Sequence, residues 1–562
     1  MTTTAETEAA APAGFTHKQI LVVLSGLLLG MLLGALDQTI VSTSIRTIAD
    51  DLQGYSMQAW VTTAYLITAT LSTPLYGKLS DMYGRKPFYL AAITIFVVGS
   101  LLCTFSQSMY ELAAFRAFQG LGAGGLMSLA LTILGDMVGP RERARYQGYF
   151  LAVFGTSSVV GPVLGGIISG QDTILGITGW RWVFLVNVPL GIIALAVVSR
   201  VLKLPKVEKP KVAVDWFGVL TMAVGLVPLL VVAEQGREWG WGSVNSITCY
   251  VVGALGLIGF VAIEAKLGDA ALIPLRMFKN STFALGVVIS IVVGSAMFGG
   301  ITLLPQYLQV VRGSSPTLAG MQMLPLVVGM MTASIVAGQL ISRTGRYKWF
   351  PPIGAGLLVL GLFLLHFVTA DTHLYVTMLF MLITGLGLGN LMQPLTLAIQ
   401  NALPPKDMGV STAAATFFRQ IGGTLGVAVF LSILFSQVGP NISTELQSAA
   451  TTPAYQAAIA EGMHSSNPAD VALSTGLAKQ DHAAAAQVLN DSSIIQKLNP
   501  TLAHPFKVGF ANAMDTVFLA AAAVALIAMV LVLFWKEVPL RTAGGIQARQ
   551  QKVEEAAVEA IG

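Results

Sequence analysis

Apolar runs of about 20 residues, the length a helix needs to cross a bilayer core, follow one another along this chain with short polar turns between them. No other feature restricts the fold so strongly. Of the 562 residues, 54% are hydrophobic and 11% charged. Soluble domains carry about 25% charged residues, so this chain lacks the charge to cover a water-facing surface. The expected fold class is an all-α polytopic membrane protein with 14 transmembrane helices, at about 19–45, 57–77, 88–106, 110–136, 146–169, 181–200, 215–234, 244–265, 281–305, 317–341, 350–370, 375–398, 409–436 and 509–535. Cys103 and Cys249 both fall in apolar runs, which speaks against a disulfide framework. Residues 1–17 hold two Glu and no Lys or Arg, unlike a signal peptide, and read as a disordered cytoplasmic tail.

The basic residues set the orientation. With the N-terminus inside, cytoplasmic segments hold 23 of the 32 Lys and Arg, among them Arg141, Arg143, Arg145 and the group Lys203, Lys206, Lys209 and Lys211. The outside holds seven, and Arg116 and Arg419 lie within spans. That split satisfies the positive-inside rule and puts both termini in the cytoplasm.

A charged turn, GKLSDMYGRKP at 77–87, follows the second span, and a degraded copy, GQLISRTGRYK at 338–348, follows the tenth. An offset of 261 residues aligns Gly77 with Gly338, Gly84 with Gly345 and Arg85 with Arg346. The repeat divides the chain into a tail at 1–18, a six-helix bundle at 19–200, a linker with two inserted helices at 201–280, a second six-helix bundle at 281–535 and a tail at 536–562. Parallel halves of this kind place a substrate path between them, near the midplane. The polar stretch 437–508 reads as an extracellular loop inside the second bundle, a partly helical cover or a binding domain, with DHAAAAQVL able to form a short helix.

Charges inside the membrane are costly and mark function. Asp37 lies in span 1, beyond Gly26, Gly30 and Gly34, whose spacing of four makes a smooth packing face. It is either a proton or cation-substrate site, or a structural hydrogen-bonding group. In span 4, Arg116 shares a helix face with Gln119 and Gly120. Its guanidinium keeps its proton, so it acts on a neighbouring carboxylate, clamps backbone carbonyls, or does both. Span 5 carries Gly155, Gly161, Pro162, Gly165 and Gly166, which suit either a helix that rocks or static close packing. At the membrane surface Gly77, Asp81, Gly84, Arg85 and Lys86 form the turn, and Asp136 at the end of span 4 is placed to reach Arg85. Such a cluster is a conformational latch. The second copy has Ser342 where the first has Asp81, which concentrates latching in the N-terminal half. Arg419 and Asp515 are secondary candidates, while Glu234 and Glu264, near span ends, are expected to be hydrated.

These segments together resemble the major facilitator superfamily, and most closely its 14-span drug:proton antiporters of the EmrB/QacA type. GKLSDMYGRKP resembles motif A, RAFQGLGAGG motif B and GTSSVVGPVLGG the antiporter motif C, while LDQTIVSTSI resembles the acidic span-1 motif, though Ser42 to Ile45 depart from it. LLPQYLQVVRGSSPTLAG and FFRQIGGTLG also resemble this subfamily. The resemblance implies that Asp37 protonates, that Arg116 relays, that Gly161, Pro162, Gly165 and Gly166 form the antiporter helix, and that Asp81, Arg85 and Asp136 form a charge relay. Some relatives carry a further acid in span 10 for divalent cations; this span has none, which favours neutral, zwitterionic or monovalent substrates.

The expected protein is a multi-pass exporter of the plasma membrane that moves hydrophobic or amphipathic small molecules. It is expected to be driven by the proton motive force, to need no cofactor or metal, to bind no nucleic acid and to function as a monomer. No GxxxxGK[ST] motif is present to bind ATP. The six His residues are scattered and show no metal spacing, which argues against an enzyme. The alternative is an exporter dedicated to one endogenous metabolite, peptide or lipid.

Overall fold

The computed structural model describes residues 16–53, 57–202, 214–479 and 492–541. The expected N-terminal tail up to residue 15, the group Lys203, Lys206, Lys209 and Lys211, the DHAAAAQVL stretch and the tail beyond 541 lie outside them.

The first half contains α1 (His17–Asp51), α2 (Gln58–Tyr83), α3 (Arg85–Thr104), α4 (Met109–Met137), α5 (Pro140–Ser169), α6 (Trp182–Leu185) and α7 (Asn187–Val201). A capping box starts α1: Thr16 Oγ1 accepts from the Gln19 N–H while Gln19 Oε1 accepts from the Thr16 N–H. Gly84, at φ +105°, makes the abrupt junction between α2 and α3. A two-residue hairpin, Thr173–Ile174 against Ile177–Thr178, links α5 to the sixth span. That span breaks between α6 and α7, where Pro189 has no N–H to donate to the Leu185 carbonyl.

The hairpin α8 (Trp216–Trp239) and α9 (Val244–Leu267) comes next. The second half contains α10 (Ser281–Gln306), α11 (Pro316–Gln322), α12 (Leu324–Thr344), α13 (Phe350–Leu365), α14 (Leu374–Ala402), α15 (Met408–Ala450), α16 (Pro453–Gly462), α17 (Pro468–Ala478) and α18 (Pro500–Leu533). Pro325 separates α11 from α12 in the same way that Pro189 separates α6 from α7.

Among the described residues, 12 helices are long and apolar enough to cross a membrane. The threonine-rich α2 and the 16-residue α13 occupy two further expected span positions. Among the described residues the fold is all-helical apart from the small hairpin. Two buried clusters fill the first half, one around Tyr89, Phe96 and Ile133 and one around Ile40, Trp180 and Phe184. A single large cluster fills the second half.

Within the expected 437–508 loop, residues 437–450 continue α15, a helix of 43 residues, α16 and α17 follow, and α18 begins at Pro500. Tyr455, Leu473, Ile495 and Leu498 carry the second-half core into the cap. Burial of these side chains fixes a segment too polar to read as a membrane helix. Glu264, expected to be hydrated, is fully buried, because the loop after α9 folds back and donates the Leu272 and Ile273 N–H groups to its carboxylate at 3.2 and 3.0 Å. Glu234 is half-buried.

Candidate functional site

Asp37 is fully buried in α1. Arg116 Nη1 of α4 donates to Asp37 Oδ2 at 2.5 Å and to Gln119 Oε1 at 2.6 Å. Gln119 Nε2 donates to Asp37 Oδ1 at 2.9 Å and to Ser100 Oγ of α3 at 2.7 Å. Asn187 Nδ2, at the start of α7, donates to the same Oδ1 at 2.8 Å. The guanidinium carbon lies 4.0 Å from the centre of the Tyr65 ring of α2. Five helices thus converge on one ion pair. Each carboxylate oxygen is hydrogen-bonded, which is the condition for keeping a charge pair out of water. Asn187, Ser100 and Tyr65 were not singled out in the sequence; the sole hint was an Asn in the otherwise apolar run VFLVNVPLG.

The α5 glycines tie this cluster to the other half. A methyl group at Gly161 would collide with Thr39, and one at Gly165 would lie 2.9 Å from the Ile40 carbonyl. Both residues belong to α1, just past Asp37. Thr39 Oγ1 donates to the Ser157 carbonyl of α5 at 2.9 Å. Gly155 instead abuts Val327 of α12, and Gly166 faces Thr317 of α11. The Pro162 ring lies against Gly320 of α11. One face of α5 packs on the Asp37 helix and another on the second half.

At the end of the bundle that carries both charged turns, Arg85 Nε donates to Asp136 Oδ2 at 2.7 Å and Nη2 pairs with Asp81 Oδ1 at 2.6 Å. Asp81 crosses to the other half: its carboxylate accepts the Gly409 and Val410 N–H groups at 3.3 and 2.9 Å. Those N–H groups open α15, where unpaired donors and the helix dipole favour an anion. Gly77 lets the backbones approach, since any side chain there would collide with Ala413 and the Gly409 carbonyl. Lys86 takes no part in the crossing; its Nζ donates to the Ser199 carbonyl at 2.6 Å within the first half.

The second turn also bridges the halves, alongside the cluster in the first. Arg141 at the start of α5 donates to the Ser342 and Arg343 carbonyls at 2.7 and 2.6 Å. Those carbonyls end α12, where the dipole favours a cation. Ser342 needs no acid because its backbone supplies the acceptor. Next to it, buried Arg143 bonds Gln400 of α14 and donates to the Gly135 and Val138 carbonyls that end α4. Arg276 makes a bidentate pair with Asp407 at 3.0 and 2.9 Å, joining the short turn Leu275–Lys279 after α9 to the start of α15. Its pKa is raised above the ordinary arginine value by the hydrogen-bonded Asp407.

The secondary candidates are not brought to the Asp37 cluster. Arg419 is buried in α15 beside Thr396 of α14. Asp515 is half-buried in α18, one carboxylate oxygen having no hydrogen-bond partner among the described residues, and its backbone carbonyl lies 3.1 Å from His366 Nδ1.

A family model, Major Facilitator Superfamily, matches residues 27–427. The chain is 37% identical over 455 residues to multidrug transporter protein MdtP of Bacillus subtilis, covering 80% of this chain and 82% of that protein. It is also 37% identical over 409 residues to multidrug resistance protein 3 of the same organism, covering 73% and 78%. Among solved structures, the proton:xylose symporter XylE aligns with a TM-score of 0.58 at 15% identity, over 96% of this chain and 100% of that one, a likeness of fold. The family match, the fold and the paired charged turns agree: this chain belongs to the major facilitator superfamily and is a multi-pass membrane transporter, not an enzyme.

Proposed function

We propose that this transporter is a proton-coupled antiporter that exports hydrophobic or amphipathic small molecules across the plasma membrane, with both termini in the cytoplasm. The observation that carries the reading is the buried Asp37–Arg116 pair. Its carboxylate is the acid–base group of the cluster that can take up a proton, and its partner stays charged whatever happens. A proton on Asp37 leaves the Arg116 guanidinium buried and uncompensated, a cost of about 3–5 kcal/mol for a broken buried pair. α1 and α4 then repack, Gln119 and Tyr65 taking up the guanidinium. Gly161, Pro162 and Gly165 pass that shift from α1 into α5, and Gly155 and Gly166 pass it to the second half. Asp81, Arg85 and Asp136 hold the turn end closed until it arrives.

The driving force is the proton gradient, and the protein works as a monomer without a cofactor. Counting α2 and α13 gives 14 spans, which keeps both termini on the basic side. The similarity to Bacillus multidrug transporters supports a broad substrate range. In proteoliposomes with an imposed pH gradient, wild-type protein exports a hydrophobic dye. The Asp37→Asn protein loses gradient-driven export while keeping substrate exchange at equal pH. Wild-type gradient-driven export by Asp37→Asn would sink the proposal.

A further inference from the structure

Arg85, Arg116 and Arg276 each contact a carboxylate at 3.0 Å or less. Arg419 does not. It is 8% exposed, and its one hydrogen bond among the described residues runs 3.5 Å to Thr396 Oγ1, the outer limit for such a bond. A guanidinium offers five donors in a rigid fork and cannot shed its charge. Inside a membrane such a group calls for an acceptor.

Its position narrows what that acceptor is. Arg419 lies 11 residues into α15, about 16 Å along the axis at 1.5 Å per residue from the end that carries the charged turns. The backbone of α10 approaches it closely, since any side chain at Gly294 would collide with the Arg419 carbonyl. One turn further along α15, Gly423 lies against the Phe298 ring of α10, and that ring is 37% exposed. On the other side, Gln420 meets Thr73 Oγ1 of α2 at 3.5 Å, across the boundary between the halves. The cation therefore stands about three turns inside α15 beside that boundary, next to a partly open aromatic surface.

We propose that Arg419 binds a carboxylate on an amphipathic substrate, with Phe298 carrying part of the substrate's apolar body. A carboxylate matches the planar guanidinium fork. The two halves are then chemically complementary: Arg116 has a resident acid in Asp37, while the acid for Arg419 arrives with the cargo. The proposal rests on the exporter reading and sharpens its substrate class toward zwitterionic and anionic amphiphiles.

The test uses the full-length protein and two dyes, a rhodamine with a free benzoate and its methyl ester. Binding is followed by fluorescence anisotropy in detergent, and transport in proteoliposomes. Wild-type protein binds the free acid more tightly than the ester. Arg419→Gln weakens the free acid by at least about tenfold, the size expected for a lost charge-assisted bond, and shifts the ester by less than about twofold. Arg419→Lys, which keeps the charge and loses the fork, recovers part of the free-acid affinity. Equal loss of both dyes in Arg419→Gln, no loss of either, or no free-acid preference in the wild type overturns the assignment. An Arg419-dependent preference without gradient-driven movement of either dye supports the binding site and removes the exporter reading instead.

Discussion

Replacing Asp81 by Asn tests the crossing at the turn end in its most direct form. The carboxylate accepts the Val410 N–H at 2.9 Å and the Gly409 N–H at 3.3 Å, and pairs with Arg85 at 2.6 Å. Asn is nearly isosteric and keeps one acceptor oxygen, so a neutral bond to α15 survives. What goes is the charge. A carboxylate at a partly buried helix N-terminus is worth up to about 2 kcal/mol, and a charge-assisted hydrogen bond exceeds a neutral one by about 1 kcal/mol. Arg85 keeps Asp136, so the pair within the half is only partly lost. A net loss of about 2 kcal/mol changes the ratio of closed to open turn ends by about 30-fold.

The assay is a distance distribution between spin labels at Tyr83 and Trp349, which are 57% and 69% exposed and lie at the turn end on opposite halves. The background first replaces Cys103 and Cys249, both free thiols. The Asp81→Asn protein should move population to longer separations at fixed pH. An unchanged distribution in well-folded protein refutes the reasoning, because it means that the bonds from Asp81 to α15 do not hold the halves together.

The second crossing should behave as a weaker copy. Arg141 is exposed, so Arg141→Gln should shift the same distance ratio by only about threefold to fivefold, and the effect should add to that of Asp81→Asn because the two act on different helices. In α5, Gly161→Val forces a side chain into Thr39 and should lower the melting temperature in detergent by the equivalent of about 1–3 kcal/mol, with loss of transport. Gly166→Ala, whose nearest neighbour is Thr317 at 3.6 Å, should leave melting unchanged. Equal melting behaviour in the two variants refutes the packing argument.

How legible each part was follows from how local its cause is. Asp37, Arg116 and Gln119 stood out because a charge or amide in an apolar run has no local solvent. Asn187 and Ser100, which complete the cluster, did not, because small neutral polar groups occur in membrane helices for packing alone. The acid at Asp81 was visible, but its acceptors were not: the Gly409 and Val410 N–H groups carry no side-chain signature. The same is true of the Ser342 and Arg343 carbonyls that receive Arg141, which is why the second turn read as a weakened copy. The extension of α15 carries no membrane-helix signal because its apolar run ends early, while the cap packs against the second-half core.

From the sequence alone come the helical membrane class, the positions of most spans, the duplicated turn and the identity of the intramembrane charges. These follow from the bilayer, which tests every short segment for length and polarity independently of the others. Only the tertiary structure decided which charge meets which partner. Asp81 and Val410 are 329 residues apart in the chain. Their contact exists because two bundles pack at one end, and that depends on all the helices between them.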